Sequence, residues 1–185
     1  VDVEYGSTVE TLLEIVEGMA FDRGYLSHHM ITDVEKMQVI LDNPYILMTD
    51  QRLMTAEEVA TLVKLVAPSK RPLLVIAEEV APPAVIGLLS WRDNGGSPVA
   101  AIHPPDYGHW RKAALEDLAI LTGGRVISRD LGGTIAAVQL RDLGQARQVR
   151  ISHNQTVVTA GVGDPAMIAA RRQQIMRQYE LAPEN

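Results

Sequence analysis

Two adjacent carboxylates, Glu78 and Glu79, are the residues of this sequence whose position best suits catalysis. They follow the apolar run LLVI at residues 73–76, and the carboxyl end of a buried strand is where α/β enzymes often hold catalytic groups. Neighbouring side chains on an extended chain diverge, however, and no nucleophile–base pattern surrounds the two glutamates. A small enzyme that uses Glu78 or Glu79 is one hypothesis, and it predicts a closed polar pocket beside both carboxylates.

Histidines supply the next candidate chemistry. His28 and His29 are adjacent, and on a strand their rings would point to opposite faces, which does not suit the binding of one metal ion. His103 and His109 flank a loop with two prolines, HPPDYGH, for which we predict a structural role. The glycines of GVG at residues 161–163 lack the third glycine of a dinucleotide-binding loop. Because cysteine and the H-E-x-x-H motif are also absent, we predict no metal site.

The stretch RPLLVIAEE at residues 71–79 is the predicted centre of the fold. Its short, continuous apolar run is typical of a strand that is covered on both faces. One helix is predicted to begin at Thr55, with Glu58 completing a capping box. Another is predicted to begin at Pro82 and Pro83, where a missing N–H costs little. If the strand is central, the two helices lie side by side with a shallow apolar channel between them.

The two helices differ in how much of their surface is apolar. The first has one core stripe at helical spacing, formed by Val59, Leu62, Val63 and Val66. The second is apolar almost all round, with Val85, Ile86, Leu88 and Leu89. A helix without a polar face must be buried or must bind another molecule. Both readings are open at this point, since the second helix could also belong entirely to the core.

The remaining pattern predicts an α/β fold in one domain, residues 1–185, that opens with a loose entry at residues 1–10. A first strand is predicted around Leu13, Ile15, Met19 and Phe21. Further strands are predicted at residues 44–49, 99–102, 125–128, 148–151 and 156–159, and further helices at 109–121 and 166–179. The last helix is predicted to bury Met167, Ile168, Ile175 and Met176.

The composition excludes several classes of protein. The chain has 185 residues, 46% of them apolar, a net charge of −6 and a pI near 5.3. An acidic chain is a poor partner for nucleic acid or an anionic membrane, both of which favour basic surfaces. The absence of cysteine fits a cytoplasmic location, and no apolar run approaches the roughly 20 residues of a membrane-spanning helix. Because the chain begins at Val1, we expect it to be part of a longer protein.

Four longer motifs carry a family resemblance. They are EGMAFDRGYLS at residues 17–27, RPLLVIAEEV at 71–80, RKAALEDLAILTGGRVIS at 111–128 and DLGQAR at 142–147. In this collinear order they resemble the apical domain of GroEL-type chaperonins over nearly the whole chain. The resemblance implies a layered β/β/α architecture in which two parallel-lying surface helices form a groove. It also implies that residues 165–185 form a helix and tail leading toward an intermediate domain.

The resemblance also implies a function. Apical domains of this family bind non-native polypeptides and the mobile loop of a co-chaperonin lid, as part of an ATP-dependent ring whose neighbouring subunits are further partners. ATP and Mg²⁺ belong to another domain of the family, so the resemblance implies no cofactor and no enzymatic activity here. We expect the isolated domain to be a monomer, with neither nucleic acid nor membrane as a partner.

The resemblance places the binding groove on ten residues and a subunit contact on Arg23. The groove residues are Tyr25, Ser27, His29, Met30, Ala60, Val63, Val85, Ile86, Leu89 and Ser90. Family members prefer aromatic residues at His29 and Met30, leucine at Ala60 and valine at Ser90. The groove is therefore expected to be less apolar, with a narrower client range. The alternative is a specialised protein–protein interaction module on the same fold that has lost general client binding.

Overall fold

The computed structural model describes residues 18–105 and 108–181. The loose entry predicted for residues 1–10 lies outside the described residues, as do Leu13 and Ile15 of the predicted first strand and the tail at residues 182–185. The elements below belong to the described part of the chain.

The strands and helices alternate through the middle of the chain, as predicted. The strands are β1 (Gly18–Phe21), β2 (Val39–Asp42), β3 (Tyr45–Thr49), β4 (Arg52–Leu53), β5 (Leu73–Ile76), β6 (Glu79–Val80), β7 (Val99–Ile102), β8 (Val126–Ile127), β9 (Gly144–Ile151) and β10 (Thr156–Gly161). The helices are α1 (Ala56–Val66), α2 (Pro82–Asp93), α3 (His109–Thr122) and α4 (Pro165–Leu181). Short 3₁₀ turns lie at His28–Met30, Ala67–Ser69, Arg129–Leu131, Ile135–Ala137 and Leu140–Asp142.

The apolar run at residues 73–76 forms β5, the inner strand of a parallel layer. This confirms the prediction of a strand that is covered on both faces. It pairs in parallel with β3 on one side and with β7 on the other, and all four of its side chains are fully buried. The sheet continues from β3 through β9 and β10 to β1 in antiparallel pairing. Each fully buried aliphatic side chain contributes about 1.5–3 kcal/mol relative to an exposed one, so this strand is a major source of stability.

Helix α1 begins where the sequence predicts. The N–H of Glu58 donates to Thr55 Oγ1 at 3.3 Å, and the N–H of Thr55 donates to Glu58 Oε2 at 3.1 Å, which completes the capping box. The four residues of its predicted core stripe are buried. Helix α1 packs against α2, and Gly87 of α2 lies close to Ala56 of α1, since an added Cβ on Gly87 would lie 3.2 Å from the Cβ of Ala56.

Helix α4 departs from the prediction. None of its residues is buried, and Met167, Ile175 and Met176 are 55%, 44% and 56% exposed. Its main contact among the described residues is with α3, through Arg171 and Asp117. Arg171 Nε lies 2.5 Å from Asp117 Oδ1 and Nη2 lies 3.3 Å from Oδ2. This hydrogen bonding raises the pKa of the Arg171 guanidinium above its ordinary value.

The mixed α/β fold predicted from the sequence is confirmed. Strand β9 begins at Gly144, four residues before the predicted start at Gln148. Within residues 18–105 and 108–181, no helix combines the length and the apolar character that crossing a membrane requires.

Candidate functional site

An open cleft of about 520 Å³ lies between helix α2 and residues 26–29. Its lining is mainly aliphatic with a few polar groups, and consists of Leu26, Ser27, His29, Glu79, Val80, Pro82, Val85, Ile86, Leu89 and His103. Five of the ten predicted binding residues are therefore brought together here: Ser27, His29, Val85, Ile86 and Leu89. The prediction had these residues facing a channel between two helices, whereas this cleft has α2 as one wall and no α1 residue in its lining.

Helix α2 contributes one side to the core and another to the cleft. Leu88 is fully buried, whereas Ile86 is 64% exposed. Val85 and Leu89 are half-buried: they line the cleft and also pack against the core. The reading in which α2 belongs entirely to the core is therefore wrong. One part of its apolar surface packs in the core, and the other part lines the cleft.

The opposite wall is a short turn that is fixed at three points. The Ser27 side chain caps the 3₁₀ turn by accepting from the N–H of His29 at 3.3 Å. The N–H of Leu26 donates to the carbonyl of Ala101 in β7 at 3.0 Å. Arg92, in the last turn of α2, donates through Nη1 to the carbonyl of His29. The Arg92 bond therefore joins the two walls of the cleft, and the Leu26 bond holds the turn against β7.

The turn also corrects two predictions. His28 and His29 lie in a 3₁₀ turn, not on a strand, so their rings do not point to opposite faces; the ring centroids are 5.3 Å apart. Met30 was predicted to line the groove, but its side chain is fully buried. The N–H of Ala101 donates to its Sδ at 3.3 Å, so Met30 is a core residue that a bound chain cannot reach in this conformation.

The other predicted groove residues lie outside the cleft lining. Val63 is 8% exposed and belongs to the core of α1, and Ala60 is half-buried. Tyr25 is half-buried against the core, and its N–H donates to Ser152 at 3.3 Å. Ser90 is exposed on α2. For Val63 the correction has the same cause as for Met30, because the apolar contacts inside the domain cover the side chain.

Arg23, predicted at a contact between subunits, is half-buried in the domain. Its Nε donates to the carbonyl of Pro104 at 2.8 Å, and its own carbonyl accepts from Thr156 Oγ1 at 2.7 Å. The residue therefore ties the chain after β1 to β10 and to the end of β7. The subunit contact itself stays a prediction.

Glu78 and Glu79 have arginine partners. Arg52 Nη2 lies 3.6 Å from Glu78 Oε1, and Arg52 Nε lies 3.7 Å from Glu79 Oε2. Arg111 Nη1 is 4.0 Å from Glu78. His103 Nδ1 lies 3.0 Å from the Glu78 carbonyl, which can only accept, so the proton is on Nδ1. Glu79 lines the open cleft, whereas Glu78 lines a separate polar pocket of about 230 Å³ together with Asp50, Gln51, Arg52, Arg129 and Asp130. The enzyme hypothesis predicts a pocket that is closed around both carboxylates, and neither of these two pockets is.

Sequence reasoning missed several residues of the cleft. Leu26, Val80, Pro82 and His103 line it. Pro82 stands three, four and seven positions before Val85, Ile86 and Leu89, so helical spacing could have identified it. Leu26, Val80 and His103 come from three other segments, and no local spacing connects them. Glu79 was considered only for catalysis. Among the described residues, no group of three or more histidine, aspartate or glutamate side chains is placed to hold a metal ion.

Comparison with known proteins agrees with the resemblance drawn from the four motifs. No family model matches the chain. The chain is 55% identical over 182 residues to Chaperonin GroEL 4 of Bradyrhizobium diazoefficiens, and the alignment covers 98% of the chain and 33% of that relative. The chain thus spans about a third of the length of that relative. The resemblance to a GroEL-type chaperonin is confirmed, with an extent consistent with an apical domain.

Proposed function

We propose that this segment of a GroEL-type chaperonin binds non-native polypeptide in the cleft between α2 and residues 26–29. The observation that carries the proposal is the 64% exposure of Ile86 beside the half-buried Val85 and Leu89. Aliphatic side chains clustered at the mouth of an open cleft are the feature by which a surface takes up apolar segments of another chain.

The chemistry of the cleft suits a tolerant binder. Burial of aliphatic surface is non-directional, so that many apolar sequences can satisfy it. Each well-buried aliphatic contact contributes about 1.5–3 kcal/mol before the cost of ordering the bound chain is subtracted. A cleft of about 520 Å³ has room for a few side chains. It therefore suits an extended segment and is too small to enclose a folded domain.

The mobile loop of a co-chaperonin lid would use the same aliphatic wall. Client and lid would then compete, and docking of the lid would release the client. Neighbouring subunits of a ring would be further partners, through Arg23. ATP and Mg²⁺ would bind elsewhere in the longer protein, so this segment alone would hold clients passively.

A second candidate function is a specialised interaction module with one partner. The polar groups of the cleft favour it, because Ser27, His29, Glu79 and His103 interrupt the aliphatic lining. Such a module would bind one partner tightly and would not suppress the aggregation of unrelated denatured proteins. A general binder would suppress aggregation of several denatured clients with similar efficiency.

The test is the variant Ile86→Glu, with Thr61→Glu on the exposed surface of α1 as the matched control. Because Ile86 is largely outside the core, we expect both variants to keep the wild-type circular dichroism spectrum and melting temperature. Ile86→Glu should lose binding to a fluorescent apolar peptide and to a denatured client, whereas Thr61→Glu should bind as the wild type does. Undiminished binding by folded Ile86→Glu would contradict the proposal.

A further inference from the structure

The charge of the cleft is uneven. Among its lining residues, Glu79 is the one side chain with a fixed charge at neutral pH; the others are aliphatic, hydroxyl-bearing or imidazole. Glu79 belongs to β6, the strand that leads into α2, and it lines the cleft together with Val80 and Pro82. An extended segment that fills the aliphatic part would therefore pass close to one negative charge.

The ion pair between Arg52 and Glu79 is weak. The distance of 3.7 Å between Arg52 Nε and Glu79 Oε2 is longer than a hydrogen bond, and the two side chains are 60% and 45% exposed. Ion pairs this exposed contribute little, because water screens both charges. Arg52 also lies 3.6 Å from Glu78, so its one charge is shared between two carboxylates. A carboxylate accepts about four hydrogen bonds, which leaves Glu79 free to accept further donors.

The other cations near the cleft are engaged elsewhere. Arg111 approaches Glu78 at 4.0 Å. Arg92 donates to the carbonyl of His29 and pairs with Asp93 at 2.8 Å. Nδ1 of His103 donates to the Glu78 carbonyl at 3.0 Å. Within residues 18–105 and 108–181, Glu78 is thus paired with two arginines, whereas Glu79 has only the shared contact with Arg52.

We propose that the cleft selects extended segments in which a lysine or arginine stands next to apolar residues, and that Glu79 is the residue that determines this preference. The proposal rests on the proposed function, since it requires that a peptide occupies the cleft. Apolar side chains would supply the affinity, and the carboxylate would favour the position of the cation. A segment with an acidic residue at that position would be disfavoured by like-charge repulsion.

The experiment uses sets of three apolar peptides. Within a set, the peptides are identical except at one position, which carries Lys, Gln or Glu. Each set places that position at a different point along the peptide. For the wild-type chain we expect at least one set in which the Lys peptide binds about two- to fivefold more tightly than the Gln peptide, with the Glu peptide weakest. The difference should shrink as the salt concentration rises. Glu79→Gln should remove the order while it keeps the affinity for the Gln peptide.

Glu57→Gln is the control, because Glu57 is exposed on α1 and outside the cleft lining; it should keep the wild-type order. Equal binding of the three peptides in every set, or an order that survives Glu79→Gln, would overturn the inference and leave the proposed function intact. Failure of every peptide to bind the wild-type chain would overturn both.

Discussion

Arg92 of α2 donates a hydrogen bond through Nη1 to the carbonyl of His29, 63 residues away in the sequence. This contact joins the last turn of the helix to the turn that forms the facing wall of the cleft. The guanidinium also pairs with Asp93 at 2.8 Å and is 27% exposed. Because Arg92 is held by both the His29 carbonyl and Asp93, it fixes the distance between the two walls. The cleft then loses less conformational freedom when a peptide binds.

The first prediction concerns this contact. Arg92→Ala should loosen residues 26–31 without unfolding the domain, because the carbonyl of His29 can accept from water in its place. We expect faster amide hydrogen exchange in that turn and weaker binding of apolar peptides. Arg141→Ala, at an exposed arginine in another turn, should change neither property. Unaltered exchange in Arg92→Ala would mean that the turn is held by Leu26 and Ser27 alone.

The second prediction concerns the capping box. Thr55→Ala removes the acceptor for the N–H of Glu58 and should lower the free energy of unfolding by about 0.5–2 kcal/mol. Thr61→Ala is the control within the same helix. Because Thr61 is exposed and alanine is the better helix former, its substitution should leave stability unchanged or slightly raised. Denaturant titration of both variants measures the difference.

Features decided by neighbouring residues were predictable. The capping box depends on two residues three positions apart, and the strand at residues 73–76 is signalled by its own apolar run. Met30 is an example of a feature that local sequence does not predict. Its burial depends on Ala101 in β7, 71 positions away, and no local spacing reveals that contact. A family resemblance assigns a role to a position in the sequence. It does not show whether the side chain at that position is buried, because burial depends on the packing around it.

Helix α4 and the cleft show the same limit. Apolar side chains at helical spacing indicate which side of a helix prefers to be covered, and Ile175 and Met176 follow that rule. They line an open groove with Met19 of β1 and Leu121 of α3, which covers them only in part. Likewise, the sequence indicated that the apolar surface of α2 must be covered, either by the core or by another molecule. It did not indicate that residues 26–29 form the second wall, since their approach depends on Arg92 and on the edge of β7.

The third prediction tests the correction for α4. Ile175→Ala should cost less than about 1 kcal/mol, because the side chain is 44% exposed and little apolar burial is lost. Leu118→Ala in α3 removes a side chain that is 1% exposed and should cost about 2–5 kcal/mol. Chemical denaturation of both variants compares them. Similar losses would mean that α4 is packed more tightly than its exposure indicates.

The fourth prediction concerns Gly24, which lies just before the cleft residues 26–29. An added Cβ on Gly24 would lie 1.9 Å from the carbonyl oxygen of His153, so Gly24→Ala forces the backbone apart and should cost about 1–3 kcal/mol or more. Gly132 has a φ of +75° and nothing within 4 Å of an added Cβ. Gly132→Ala should therefore cost only the conformational penalty of about 1–2 kcal/mol. Gly24→Ala should also weaken peptide binding, which Gly132→Ala should not.

The last prediction separates the two surfaces of α2. Leu88 is fully buried and Ile86 is 64% exposed, although they lie two positions apart. Leu88→Ala should lower the free energy of unfolding by about 2–5 kcal/mol, whereas Ile86→Ala should change it by less than about 0.5 kcal/mol. Peptide affinity should respond in the opposite way: it should fall in Ile86→Ala and persist in Leu88→Ala under conditions where that variant is folded. If Ile86→Ala loses stability and keeps its affinity, the exposed side of α2 serves folding instead of binding.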